Sequence, residues 1–90
     1  MSDRRLEVFS EVAKFLSFTK AAQSLEMTQP AVTFQIRRLE ERLNTQLFNR
    51  SHNRVSLTAE GDVVLECAQA IFKKYNEMES RVKQLQEKES

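Results

Sequence analysis

The stretch Thr28-Gln29-Pro30-Ala31-Val32-Thr33-Phe34-Gln35-Ile36-Arg37-Arg38-Leu39 opens like a helix and carries two unlike faces. Thr28 is a hydroxyl cap, and a proline in the first turn lacks only an amide that has no helical partner there. Val32, Ile36, Leu39 and Leu43 recur at spacings of four, three and four, the stripe by which a helix packs on a core. Asn44 suits the left-handed conformation that commonly ends a helix, so this third helix is predicted to run to about Leu43. At about 100° per residue, Gln29, Pro30, Thr33, Phe34 and Arg37 gather on the outer side. In a DNA major groove, glutamine can pair with adenine and arginine with guanine, while proline, a threonine methyl or phenylalanine can press on a thymine methyl. The plainer alternative is a solvated polar stripe, for which an exposed aromatic ring such as Phe34 has little use.

Upstream, Leu6, Phe9, Ala13 and Leu16 recur at helical spacing, and Val8, Val12 and Phe15 widen the stripe, predicting a first helix over residues 4–16. Ser17-Phe18-Thr19 offers a hydroxyl cap to a short second helix, Lys20-Ala21-Ala22-Gln23-Ser24-Leu25, and Glu26-Met27 breaks it. Two helices and a short turn, spanning 18–37, have the order of a helix-turn-helix, an order that simple helical hairpins share. Downstream, residues 46–50 and 54–58 alternate apolar with polar around Ser51-His52-Asn53, predicting a small hairpin over 46–58. Arg50 and Arg54 flank its turn, where they either reach phosphates and the minor groove or are merely solvated.

Thr58 caps the last segment, Glu60 and Asp62 favour the positive end of a helix dipole, and no breaker follows Gly61. The segment 59–90 is therefore predicted to be one long helix reaching the region of Gln86. Val64, Ala68, Ile71, Tyr75, Met78, Val82 and Leu85 form a seam alternating spacings of four and three. Val63, Leu65, Cys67 and Phe72 lie off that seam and are available to the chain's own core. A helix of about 28 residues is about 42 Å long and must project beyond its domain, so its far end needs a partner. A second copy is the nearest one, and two-fold pairing would set two reading helices about 34 Å apart, in successive major grooves. Flanking charges such as Lys73, Glu77 and Lys83 fit parallel and antiparallel pairing alike.

Ninety residues suit one domain. No apolar run is long enough to span a membrane, and the start Met1-Ser2-Asp3-Arg4-Arg5 lacks a secretory core, so a cytoplasmic protein is expected. Cys67 is the only cysteine; it excludes an internal disulfide and reads as a small buried side chain rather than a reactive thiol. His52 has no zinc-ligand partner at suitable spacing and reads as a turn residue that adds phosphate affinity at low pH. The net charge of +1 hides an uneven distribution: residues 28–58 hold five arginines (Arg37, Arg38, Arg42, Arg50 and Arg54) against Glu40 and Glu41, a local +3. One histidine, one cysteine and no glycine-rich loop argue against an enzyme. A coiled-coil interaction module without specific DNA binding remains the stronger competitor, and it leaves the arginine-rich hairpin unexplained.

The chain resembles the N-terminal domain of LysR-type transcriptional regulators of bacteria. The likeness is carried by Phe18-Thr19-Lys20-Ala21-Ala22, Thr28-Gln29-Pro30-Ala31-Val32-Thr33, Gln35-Ile36-Arg37-Arg38-Leu39-Glu40, Leu47-Phe48-Asn49-Arg50 and Leu57-Thr58-Ala59-Glu60-Gly61. It covers essentially the whole chain. The resemblance implies a mainly α fold, a winged helix-turn-helix with a three-helix head and two-stranded wing over 1–58, followed by a dimerising linker helix over 59–90. It also implies binding, as a homodimer, to interrupted inverted repeats in double-stranded promoter DNA. By this resemblance Gln29, Pro30 and Thr33 meet bases, and Thr19, Thr28, Arg37, Arg38, Arg50 and Arg54 hold the backbone. Phe34 departs from the arginine or polar residue often found at its position, and Asn44 replaces a usual glycine. LysR-type regulators continue into an effector-binding domain that takes a small-molecule inducer; this chain is expected to be a fragment without it, needing no cofactor of its own.

Overall fold

A computed structural model describes residues 4–89; residues 1–3 and 90, which include the start of the sequence-defined domain and the end of the tail, lie outside the described residues. The order is α1 (Arg4–Phe15), α2 (Phe18–Leu25), α3 (Gln29–Leu43), β1 (Phe48–Ser51), β2 (Arg54–Leu57) and α4 (Ala59–Glu89). The strands pair antiparallel with Phe48 opposite Leu57 and Ser51 opposite Arg54. The molecule measures 57 × 26 × 19 Å, long because α4, at 31 residues, extends about 46 Å.

Caps set the helix ends. The Ser17 hydroxyl accepts from the Lys20 amide at 3.1 Å and the Thr28 hydroxyl from the Ala31 amide at 3.2 Å. At the other ends, Glu26 (φ 55°) and Asn44 (φ 53°) are left-handed. The amides of Met27 and Thr45 then bond back to the carbonyls of Ala22 and Glu40 at 2.9 and 3.1 Å, the closure of a Schellman motif. The first helix ends one residue earlier than the sequence predicts, because Leu16 turns left-handed at φ 49°. Phe15 and Leu16 are consequently exposed instead of joining the core stripe.

The core is formed by Val8, Phe9 and Val12 of α1, Phe18, Ala21 and Ala22 of α2, Val32, Ile36 and Leu39 of α3, and Leu47 and Phe48 at the start of the hairpin. Phe48 carries the hairpin into the head: its ring lies 5.2 Å from that of Phe9 and 5.7 Å from that of Phe18. Edge and tilted ring contacts of this kind add to the burial of large aromatic area. The predicted three-residue turn is a two-residue one, His52-Asn53, with φ of 53° and 61°. Two successive positive φ values are what a type I′ hairpin turn needs to match the strand twist.

The joint to α4 is tight. The Glu40 carboxylate accepts the Leu47 amide at 2.8 Å, and the Thr58 hydroxyl donates to the Gln46 carbonyl at 2.7 Å while accepting from the Gly61 amide at 2.9 Å. A Cβ on Gly61 would stand 2.2 Å from the Leu47 carbonyl oxygen, so only glycine permits this approach of helix to hairpin.

Candidate nucleic-acid interface

With Val32, Ile36 and Leu39 buried in the head, the opposite side of α3 faces solvent. Gln29, Pro30, Arg37 and Arg38 are exposed there, Phe34 is 59% exposed, and Thr33 is half-buried on the side toward the hairpin. Thr19, the second residue of α2, and Thr28 are exposed beside them. The Thr28 hydroxyl already serves as the α3 cap, so toward a phosphate it retains its donor hydrogen.

Alternation along the hairpin decides where its arginines go. Phe48 and Arg50 lie two residues apart and share a strand face, whereas Arg54, paired with Ser51, belongs to the other. Arg50 therefore leans back toward the head, and its guanidinium carbon sits 3.6 Å from the Phe18 ring centroid. It stands between two clefts. One, between α3 and the hairpin, is lined by Thr33, Arg37, Glu40 and Gln46. The other, between the α1–α2 turn and the hairpin, is lined by Leu16, Thr19, Lys20, Gln29, His52 and Arg54. The sequence reading missed Lys20 and the stacking role of Phe18. Lys20 was legible as an exposed cation in the first turn of α2; a contact between residues 18 and 50 has no local signature.

Ion pairs do not commit the cations of this face. Glu7 takes Arg4 at 3.1 Å, and Glu77 takes Lys74 at 3.3 Å and Arg81 at 3.6 Å. Lys20, Arg37, Arg38, Arg50 and Arg54 form no ion pair among the described residues. Their charges are uncommitted, and two are held over rings: Arg50 over Phe18 and Arg38 5.9 Å above Phe34.

The long helix divides its apolar residues differently from the sequence reading. Val64 packs partly on the head and Ala68 is fully buried within one chain, so Ala68 is not open to a partner and Val64 is open only in part. Leu65 and Phe72 are also partly buried, as their off-seam positions allow, but Val63 and Cys67 point outward; Cys67 is exposed rather than a buried filler. The reason is geometric: Val63 and Cys67 each stand about 100° around the helix from their packed neighbours Val64 and Ala68, and beyond Phe72 the helix outruns the head. Ile71, Met78, Val82 and Leu85 are 39, 47, 50 and 63% exposed, and Tyr75 lies half-buried among them. No helix among the described residues is long and apolar enough to cross a membrane.

Three packed helices, a two-stranded wing beside the third and a projecting fourth helix define a winged helix-turn-helix protein. The family model for bacterial regulatory helix-turn-helix proteins of the lysR family matches residues 4–62, and the chain belongs to that family, as its DNA-binding domain with the linker helix. Over 85 residues, 94% of the chain, it is 40% identical to the RuBisCO operon transcriptional regulator of Allochromatium vinosum. It is 39% identical over a similar length to the HTH-type transcriptional regulator YybE of Bacillus subtilis. It spans 28% and 29% of those two relatives. Among solved structures it resembles the BenM_DBD/benA site 1 DNA complex (TM-score 0.88, 36% identity, 94% of this chain and 99% of that one). The CbnR_DBD–DNA complex is similarly close (TM-score 0.86, 34% identity, 94% and 98%).

Proposed function

We propose that two copies of this chain pair through the outer face of α4 and bind interrupted inverted repeats in promoter DNA. In this reading α3 enters the major groove, and the wing with Arg50 and Arg54 lies along the backbone or minor groove. The observation that carries it is the clustering of Lys20, Arg37, Arg38, Arg50 and Arg54, none in an ion pair among the described residues, around the outer face of α3. Arginines without carboxylate partners around a polar reading face are suited to phosphates, whose neutralisation releases counterions. Ile71, Tyr75, Met78, Val82 and Leu85 supply the pairing surface, and joining two half-site contacts raises the effective concentration of the second. We place the activity in the cytoplasm, and small-molecule control in an effector-binding domain that the family resemblance implies rather than in these 90 residues.

The test is duplex binding as a function of salt. Affinity should fall steeply as salt rises. Arg50→Ala should weaken operator and random DNA alike, lowering the log–log slope by about 0.9 for each phosphate that the variant no longer neutralises. Gln29→Ala should weaken the operator by about 1–3 kcal/mol and leave random DNA nearly unchanged. Equal losses on both duplexes would remove Gln29 from the reading set, and an absence of duplex binding in dilute buffer would overturn the proposal.

A further inference from the structure

Phe34 is the large apolar side chain of the head that the core leaves most exposed, at 59%. It lies about 200° around α3 from Val32 and Ile36 and about 140° from Leu39, so no rearrangement of the helix on its own core would bury it. Pro30 is one turn before it and Arg37 and Arg38 one turn after, and the Arg38 guanidinium stands 5.9 Å from its ring centroid. Arg38 has no ion pair among the described residues, so it is free to take a phosphate while resting on the ring.

A phenyl ring offers no hydrogen bond. Against guanine, adenine or cytosine in the major groove it would cover donors and acceptors and leave them unpaired, which is costly. The thymine C5-methyl is the one apolar group on a base edge in that groove. We infer that Phe34 is a specificity-determining residue that selects thymine at one position of each half-site, by burying the base's methyl group against its ring. The inference rests on the reading above, that α3 enters the major groove.

The experiment selects bound duplexes from random DNA with the wild-type chain, then replaces the thymines of the selected operator one position at a time with deoxyuridine, which deletes only the methyl. Phe34→Ala is measured on the same duplexes; its side chain is exposed, and a circular dichroism spectrum checks the fold. One thymine per half-site should cost the wild type about fourfold in affinity when its methyl is removed, and both half-sites together about fifteenfold, the worth of one buried methyl-sized group at each. In Phe34→Ala the same replacement should have no effect, while thymines met by Pro30 or Thr33 keep theirs. Phe34→Arg, selected afresh, should exchange thymine for guanine at that position. An operator whose thymines respond identically in wild type and Phe34→Ala would overturn the inference and leave the DNA-binding reading intact. If selection enriches no sequence at all, both fall.

Discussion

The head and the outer half of α4 are built from the same apolar periodicity and end in opposite states. In the head, Val8, Phe9, Val12, Val32 and Leu47 lie at or near complete burial, because three short helices and a hairpin cover one another's stripes. Along α4 beyond Phe72 the described residues provide little to pack against, and Met78, Val82 and Leu85 are 47, 50 and 63% exposed. A stripe at helical spacing thus records that something covers a face; whether this chain or another one does so depends on how far the helix reaches past its domain.

Substitutions can break that contrast. Phe9→Ala removes a fully buried ring in tilted contact with Phe48, and should destabilise the head by about 3–5 kcal/mol in urea denaturation, a large share of what a domain this small possesses. Val82→Asp should leave the head folded but weaken self-association at least about a hundredfold in sedimentation, roughly 2.7 kcal/mol, because a carboxylate cannot be buried unpaired in an apolar seam. An unchanged dimer would discard the seam.

Gly61→Ala attacks the joint between the two regions. With the Leu47 carbonyl oxygen 2.2 Å from the new Cβ, the helix or the hairpin must shift, at about 1–3 kcal/mol by the scale of overpacked sites. The smallest effect sharpens the contrast most. Val82→Ala, at a half-exposed position, should hardly move the stability of the dilute monomer, and its cost should emerge only as protein concentration rises and the dimer forms. A concentration-independent loss would mean that α4 folds back on its own head.

What was legible in the sequence was what local chemistry determines. Thr28 before Gln29-Pro30, Asn44 after Leu43 and Thr58 before Ala59 mark helix ends through caps, and the structure has each of them there. Phe34 was legible as an exposed ring because its angle around α3 follows from counting. The misses came from contacts between distant residues or from small angular errors that accumulate. Leu16 leaves the first helix in a conformation that leucine disfavours, held by a chain path no local preference announces. Ala68 and Cys67 stand about 100° apart on α4, and which of them met the head was set by how the helix docks, which its own periodicity does not reveal. Stacking of Arg50 on Phe18 needed the strand register and the fold together.

The bond network at Gln46, Leu47, Thr58 and Gly61 leaves no slack between wing and rod. A stiff joint makes rod and head one lever: a rotation of the head by about 5° sweeps the far tip of a roughly 46 Å arm through about 4 Å, close to the roughly 3.4 Å rise of one base pair. In the proposed dimer, a displacement imposed near residue 85 is thereby passed to α3 as a rotation of the whole head instead of being absorbed in a loose hinge.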